Sequence, residues 1–258
     1  MDVNTRRFED KLTALWIAAF CGFEKIFHLL LDNANVDCDA SNDEGQTALF
    51  AAANKGQYKA VQMLLSNDKV DCNAKSNDGY SALYTAAYHN RVKVVQMLLD
   101  YDKVDCNTKS NDGYYALWTA ANQGHDKVVQ MLLSNDKVHI NAKNNSGNTA
   151  LWIAARNNRV KVVQILLDNA NVDCDASNDE GDTALYIAAN QGHDKVVHLL
   201  LSNDSVDCNA KNNDGESALW TAAAQGHEKV VQMLLDNDKV DCDACNDYGD
   251  SALWTAAN

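Results

Sequence analysis

The sequence predicts an all-α fold, an α-solenoid of stacked helix-turn-helix repeats with projecting β-hairpin-like loops. A period of 34 residues runs through the 258-residue chain without a gap, and leucine returns at one place in every copy. All twelve glycines fall at two fixed places in the same period. This self-similarity predicts a single domain over residues 1–258, made of about seven repeats and a truncated C-terminal repeat. The leucines are Leu15, Leu49, Leu83, Leu117, Leu151, Leu185, Leu219 and Leu253.

The first helix of each repeat is predicted from the residues around this leucine. An aromatic residue follows the leucine, and after one variable residue comes a small pair such as Ala52-Ala53 or Ala120-Ala121. Alanine lets helix backbones come close, and a helix of about two turns is stable only when it is packed. We expect the aromatic column to pack within the stack, with a ligand-facing ridge as the alternative. Its members are Trp16, Phe50, Tyr84, Trp118, Trp152, Tyr186, Trp220 and Trp254.

The second helix and the connections follow from apolar spacing and from glycine. Residues 127–133 carry apolar side chains at i, i+1, i+4 and i+5, which predicts a helix with one apolar stripe. One set of glycines, such as Gly79, marks a turn before the first helix, and a second set separates the two helices. Asn90 and Asn158 fill the second place where glycine is missing, as expected for a left-handed backbone position. The polar stretch 71–79 predicts an extended arm closed by a tight turn.

The repeat resembles the ankyrin repeat. Residues 45–53 read Gly-x-Thr-Ala-Leu-x-x-Ala-Ala, and Gly-His at Gly124-His125 is followed by Val-Val-x-x-Leu-Leu. The resemblance covers residues 11–258 and implies a solenoid that binds other proteins. Tetratricopeptide repeats share the period, but their Trp-Leu-Gly-Tyr pattern and their proline are absent from this proline-free chain. The repeat departs from the usual ankyrin pattern by one extra residue before the arm, by alanine in place of proline, and by an aromatic in place of histidine.

Composition and charge narrow the class of partner. The chain is 46% hydrophobic and 22% charged, which is typical of an ordered protein. Its formal charge of −14 disfavours nucleic acid and anionic lipid as partners. No apolar run reaches the roughly 18 to 20 residues of a membrane span, and the first residues lack the apolar segment of a signal peptide. We therefore expect an intracellular, cytoplasmic protein with no membrane or nucleic-acid partner.

Candidate chemical sites give way to packing explanations. Six of the eight cysteines share one place in the repeat, and the seventh copy has Ile140, so we expect reduced core thiols. Cys242 and Cys245 form a lone Cys-x-x-Cys without a second pair, with metal binding as the open alternative. The acidic arms lack EF-hand spacing, although weak divalent binding stays open. We predict no catalytic residue, no cofactor and no metal site, and hence no enzyme. The six aligned cysteines are Cys38, Cys72, Cys106, Cys174, Cys208 and Cys242.

Histidine also recurs in register. His125, His193 and His227 follow the glycine between the two helices, where they are expected to cap or pack the second helix. A consistent acidic or cysteine partner for metal or catalytic use is missing from the pattern.

The partner-binding candidates are the places that vary between copies. One group flanks the arm glycine and the other follows the alanine pair. With its excess of acids and its tyrosines, the resulting concave face is expected to suit a basic protein or peptide, and the alternative is that the acids only confer solubility. The first group is Glu44, Gln46, Asp78, Tyr80, Asp112, Tyr114, Ser146, Asn148, Glu180, Asp182, Asp214, Glu216, Tyr248 and Asp250. The second group is Asn54, Lys55, Tyr88, His89, Asn122, Gln123, Arg156, Asn157, Asn190, Gln191 and Gln225.

The predicted function is a non-catalytic protein–protein interaction module or scaffold, acting as a monomeric solenoid. The alternative is a targeting arm of a larger enzyme, channel or secreted effector whose activity lies outside this segment. The last repeat suggests such a larger protein. Asn258 comes soon after Leu253 and Trp254, and no second helix follows to cover these two residues. We therefore expect the chain to be part of a longer protein.

Overall fold

The computed structural model describes residues 3–5 and 11–252. In this part of the chain fourteen α-helices follow one another in pairs, which confirms the predicted all-α class. The chain divides into two compact units. The described residues of unit 1 lie within Met1–Ala120 and Gln130–Val138, and those of unit 2 lie within Ala121–Val129 and His139–Asn258. The single domain over residues 1–258 stays a prediction.

Each repeat contributes two short helices. The first helices are α1 (Ala14–Cys21), α3 (Ala48–Lys55), α5 (Ala82–Tyr88), α7 (Ala116–Gln123), α9 (Ala150–Arg156), α11 (Ala184–Asn190) and α13 (Ala218–Ala224). The second helices are α2 (Glu24–Leu31), α4 (Tyr58–Leu65), α6 (Val92–Leu99), α8 (Asp126–Leu133), α10 (Val160–Leu167), α12 (Asp194–Leu201) and α14 (Glu228–Leu235). Helices α7 and α8 contribute residues to both units.

A threonine or serine side chain caps the start of six of the seven first helices described, and Tyr115 stands at this place before α7. The hydroxyl of Thr47 accepts a hydrogen bond from the amide of Phe50 at 3.3 Å, and that of Ser81 accepts one from the amide of Tyr84 at 3.2 Å. Such a cap satisfies one of the amides that an α-helix leaves without a partner in its first turn. In these six helices the side-chain cap defines the helix start, where the ankyrin proline is replaced by alanine.

Alanine pairs bring neighbouring first helices together. Ala52 and Ala53 of α3 and Ala86 and Ala87 of α5 are 0% exposed. In unit 1, α3 packs between α1 and α5, and in unit 2, α11 packs between α9 and α13. The second helices pack in the same order, with α4 between α2 and α6 and α12 between α10 and α14. The predicted stacking of helix pairs is confirmed within each unit.

The arms between helix pairs are joined to one another by backbone hydrogen bonds. In unit 1 the amide of Ser76 donates to the carbonyl of Tyr80 at 3.0 Å, which closes one arm. The amide of Asn77 donates to the carbonyl of Glu44 in the preceding arm at 2.8 Å. In unit 2 the arm that contains Lys211 and Ser217 forms an isolated antiparallel bridge between these two residues. The hairpin-like arms are therefore confirmed, and each one is held by its neighbour.

A second set of hydrogen bonds between successive repeats, which we call the side-chain ladder, is made by a residue that is asparagine in some repeats and aspartate in others. Asn209 donates its Nδ2 to the carbonyl of Lys239 and accepts from the amide of Asp241, both at 2.7 Å. Asp175 occupies the same place one repeat earlier and accepts from the amide of Asp207 at 2.9 Å. A carboxylate has no hydrogen to donate, so the donor half of the contact is lost at Asp175. Burial and the neighbouring carboxylates of Asp207 and Asp173 raise the pKa of Asp175.

No helix in residues 3–5 and 11–252 is long and apolar enough to span a membrane. The predicted exposure of Leu253 and Trp254 in the last repeat lies outside the described residues.

We predict that Gly79→Ala destabilises the chain more than Gly226→Ala. Both glycines have positive φ, +81° and +69°, so alanine is strained at both by about 1–2 kcal/mol. At Gly79 a Cβ would also lie 2.7 Å from the amide nitrogen of Asn111 in the next arm, whereas no described atom lies within 4 Å at Gly226. Guanidinium unfolding of the two variants measures the difference, expected to be about 1 kcal/mol or more. Equal losses would show that contact between the arms contributes nothing.

We predict that Asp175→Asn stabilises the chain at pH 7 by about 1 kcal/mol, because asparagine restores one donor and removes a partly buried charge. The folded-state pKa of Asp175 is raised, so the cost of its charge is present at neutral pH and lessens as the pH falls through that pKa. The difference in unfolding free energy between the variant and the unaltered chain should therefore be smaller at pH 4 than at pH 7. The reverse change, Asn209→Asp, is the matched control and should destabilise by a similar amount. No gain at pH 7 would contradict the role given to the donor.

Candidate partner-binding surface

The predicted arm residues differ in exposure according to whether they precede or follow the arm glycine. Residues before the arm glycine are exposed, whereas most residues after it are half-buried. Tyr248, which precedes Gly249, is 79% exposed and follows this pattern. The exposed residues before the glycine are Glu44, Asp78, Asp112, Ser146, Glu180 and Asp214, and the half-buried residues after it are Gln46, Tyr80, Tyr114, Asn148, Glu216 and Asp250.

Asp182 is the least accessible candidate, at 7% exposure. Its carboxylate accepts a hydrogen bond from Nδ2 of Asn212 at 3.2 Å, and its amide donates to Oδ1 of Asn178 at 2.8 Å. Burial raises the pKa of Asp182. The side chain thus belongs to the contact between two arms and presents little surface to a partner.

The second group lies at and just after the ends of the first helices, where side chains contact the next repeat. Nδ2 of Asn157 donates to Oδ1 of Asn122 at 2.6 Å, and Nδ2 of Asn190 donates to the hydroxyl of Thr221 at 2.9 Å. These contacts leave part of the group accessible. The exposed members are Lys55, Tyr88, His89, Arg156, Gln191 and Gln225, and the half-buried members are Asn54, Asn122, Gln123, Asn157 and Asn190. We call the two groups together the tip surface.

In unit 1 the two groups meet at one pocket of about 260 Å³. Its lining combines arm residues with residues of the first helices α3 and α5 and the residue that follows α5. Five residues of the two predicted groups take part, together with Phe50 and Tyr84 of the aromatic column and Thr85. The lining is Gln46, Phe50, Asn54, Tyr80, Tyr84, Thr85, Tyr88 and His89.

Three of these residues form an aromatic row at intervals of four along the chain. The rings of Tyr80 and Tyr84 are stacked, with centroids 4.5 Å apart and planes 9° from parallel. The ring of Tyr88 meets that of His89 edge to face at 4.9 Å. Tyr84 was expected to pack within the stack, with a ligand-facing ridge as the alternative. The spacing of Tyr80, Tyr84 and Tyr88 is the signal that sequence reasoning did not use.

The aromatic column itself is mostly buried. Six members, from Trp16 to Tyr186, are at most 9% exposed, which confirms the packing interpretation for them. The hydroxyl of Tyr186 donates to Oε2 of Glu216 at 2.7 Å, and burial raises the pKa of Tyr84 to about 12. The indole nitrogens of Trp16, Trp118, Trp152 and Trp220 are buried without a hydrogen-bond partner among the described atoms. Trp254 lies outside the described residues.

The place shared by the histidines links consecutive repeats. Nε2 of His193 lies 2.9 Å from the carbonyl of Arg156, and Nε2 of His227 lies 2.9 Å from the carbonyl of Asn190. Arg159 fills the same place and donates its Nε to the carbonyl of Asn122 at 2.9 Å. His193 and His227 make no side-chain cap on their own helices. Of the two roles expected for these histidines, the structure supports packing for His193 and His227.

The cysteine side chains differ in how far they are exposed. Cys38, Cys72, Cys106, Cys174 and Cys208 are buried, and burial raises the pKa of each. Cys242, the sixth member of the column, is half-buried, whereas Cys21 and Cys245 are exposed. All eight cysteines are free. Over residues 3–5 and 11–252, no group of three or more His, Cys, Asp or Glu side chains could hold a metal ion.

We predict that a disulfide reagent modifies Cys21 and Cys245 first in the folded chain at pH 7. Exposure gives the reagent access, whereas burial and a raised pKa suppress the thiolate at the five buried cysteines. Absorbance of the released thiol should show a fast phase that Cys21→Ser and Cys245→Ser each reduce. Fast modification of Cys106 in the folded chain would contradict the assignment of that thiol to the core.

The comparisons with known proteins agree with this geometry. A family model described as ankyrin repeats (3 copies) matches residues 1–76, 69–144, 103–178, 138–212 and 204–258. A search of curated protein sequences found no match.

Two solved structures are similar. EF0377, an ankyrin repeat protein, is 26% identical, with a TM-score of 0.69 over 74% of this chain and 97% of that chain. The ankyrin repeat domain of Bcl-3, a member of the IkappaB protein family, is 25% identical, with a TM-score of 0.76 over 83% of this chain and 95% of that chain. Ankyrin repeats are generally protein–protein interaction modules and are typically non-catalytic. The chain belongs to the ankyrin-repeat family.

Proposed function

We propose that this chain is a non-catalytic interaction module that binds a basic segment of another protein through its tip surface. The observation that carries the proposal is the fixed presentation of acidic side chains at the arm tips. Asp78 and Asp112 are exposed, while the backbone beside them is held by the hydrogen bond from the amide of Asn111 to the carbonyl of Asp78 at 3.0 Å. A side chain on a backbone that is already ordered loses less entropy when a partner binds.

The charge balance supports a basic partner. The chain has 36 acidic and 22 basic residues, and carboxylates at the tips add to the negative potential around it. Complementary charge speeds encounter with a basic partner and disfavours acidic ones. The proposal places the binding in the cytoplasm, which the eight free cysteines support because a reducing compartment keeps thiols unpaired.

The residues that hold the repeats together offer less accessible surface to a partner. Alanine pairs, helix caps and ladder side chains are buried or engaged in contacts between repeats, so most of them have no surface left for another protein. Apart from Asp182, the candidate side chains that vary between copies are exposed or half-buried at the tip surface. The alternative, a targeting arm of a larger enzyme, channel or secreted effector, remains compatible with binding through the same surface.

We predict that the double variant Asp78→Asn, Asp112→Asn weakens binding of a protein captured from lysate by about fivefold to tenfold. The matched control is Asp100→Asn, Asp136→Asn, which removes the same charge from two exposed aspartates at and after the ends of second helices. Affinity should be measured by titration of the purified captured protein at two salt concentrations. Binding by the tip variant should also depend less on salt, because fewer exposed charges contribute to the attraction.

Two results would count against this proposal. Equal affinity of the tip variant and the unaltered chain would mean that the acids confer only solubility. A loss confined to the control variant would place the partner on the second helices.

A further inference from the structure

The pocket of unit 1 has the size and shape to receive one long side chain. Its volume of about 260 Å³ is below the range of about 300–1,000 Å³ that is usual for small-molecule sites. It opens on the tip surface between the first helices of two consecutive repeats, with Phe50 and Asn54 on α3 and Tyr84 and Tyr88 on α5. A side chain carried on the backbone of a protein that lies across the tips would reach it.

The aromatic rings favour a cation at this place. The face of a tyrosine ring carries negative electrostatic potential, so it attracts ammonium and guanidinium groups. The pocket is lined by Tyr80, Tyr84 and Tyr88, and the ring of Tyr88 is exposed, with 43% of the residue accessible. The chain places its own cations on rings of the first helices elsewhere. Nζ of Lys55 lies 4.3 Å from the ring centroid of Phe20, and the guanidinium of Arg156 lies 5.6 Å from that of Trp152.

In α5 the same two places carry two rings. Tyr84 corresponds to Trp152, and Tyr88 corresponds to Arg156, two repeats apart in the 34-residue register. The lining contains no lysine and no arginine. In α9 an arginine lies over the ring at the corresponding place, whereas α5 has a second tyrosine there.

Neighbouring charge is negative. Burial raises the pKa of Tyr80, and the negative charges of Asp78 and Asp112 raise it further. Gln46 in the lining donates its Nε2 to Oε2 of Glu44 at 2.7 Å, so a third carboxylate lies next to the pocket. These charges favour a cationic occupant over a neutral apolar one.

We infer that this pocket binds the guanidinium group of an arginine side chain of the partner protein. The inference rests on the proposed function and adds which side chain the surface recognises in unit 1. Guanidinium is planar and weakly hydrated, so it stacks on tyrosine rings more readily than an ammonium does, and its edge donates hydrogen bonds while its face lies on a ring.

The test uses three synthetic tripeptides, acetyl-Gly-X-Gly-amide, in which X is arginine, citrulline or leucine. Citrulline has nearly the shape of arginine without its charge. Titration followed by NMR of the tyrosine ring signals should give about tenfold tighter binding of the arginine peptide than of the citrulline peptide. The leucine peptide should bind more weakly than the arginine peptide.

Variants of Tyr88 distinguish the effect of its aromatic ring from the effect of its apolar volume. Tyr88→Phe retains the ring and should bind the arginine peptide nearly unchanged, whereas Tyr88→Leu retains apolar bulk and should bind it about fivefold more weakly. Tyr101→Leu changes a half-buried tyrosine that lies outside both the pocket and the tip surface, and it should have no effect. Thermal unfolding of each variant confirms that the fold is retained.

Three results would overturn the inference. They are equal binding of the arginine and citrulline peptides, tighter binding of the leucine peptide, or loss of binding in Tyr101→Leu without loss in Tyr88→Leu. These peptide measurements need no protein partner, so their failure leaves the proposed function to be judged on the tip-variant titration. Failure of that titration with positive peptide binding would overturn the proposed function and leave the pocket as an arginine site.

Discussion

Close contact between the alanine pairs of neighbouring first helices is the constraint on which the rest of each unit depends. Ala52, Ala53, Ala86 and Ala87 are 0% exposed, so the contact between α3 and α5 is fully buried at these residues. This contact brings successive arms within hydrogen-bonding distance, as in the bond from the amide of Asn77 to Glu44. A helix of about two turns has little stability by itself, and contact with its neighbours supplies the remainder.

The same constraint explains why the proposed binding residues are confined to a few positions in each repeat. Residues that set the spacing are small or apolar, and residues that close the arms use their polar atoms within the stack. His227 illustrates this use of polar atoms, because its Nε2 lies against the carbonyl of Asn190 in the preceding repeat. Chemistry that differs between repeats remains at the tips and at the ends of the first helices. There it can change without altering the contact between backbones, and the row from Tyr80 to Tyr88 is one result of that freedom.

The fold could be read from the sequence because its determinants are local and repeat. Leucine, the small pair and glycine at fixed places specify helix, contact and turn, and Asn90 fills a glycine place with φ +55° as expected. The site was less predictable. Asp182 looks like an exposed acid by position, yet its carboxylate is covered by the next arm and bonded to Asn212. Register in one repeat carries no information about how deeply a side chain is covered by the next. The contribution of Tyr84 to a pocket was missed for the same reason, since the pocket exists only between two repeats.

The central claim is that a partner protein lies on the tip surface. Hydrogen–deuterium exchange of this chain, alone and with the purified protein that it captures, tests this claim most directly. The account predicts slower exchange in the complex at arm residues 76–80 and 110–114, with unchanged exchange at residues 66–70 and 100–104 after the second helices. Slower exchange at residues 66–70 and 100–104, with unchanged arms, would contradict it.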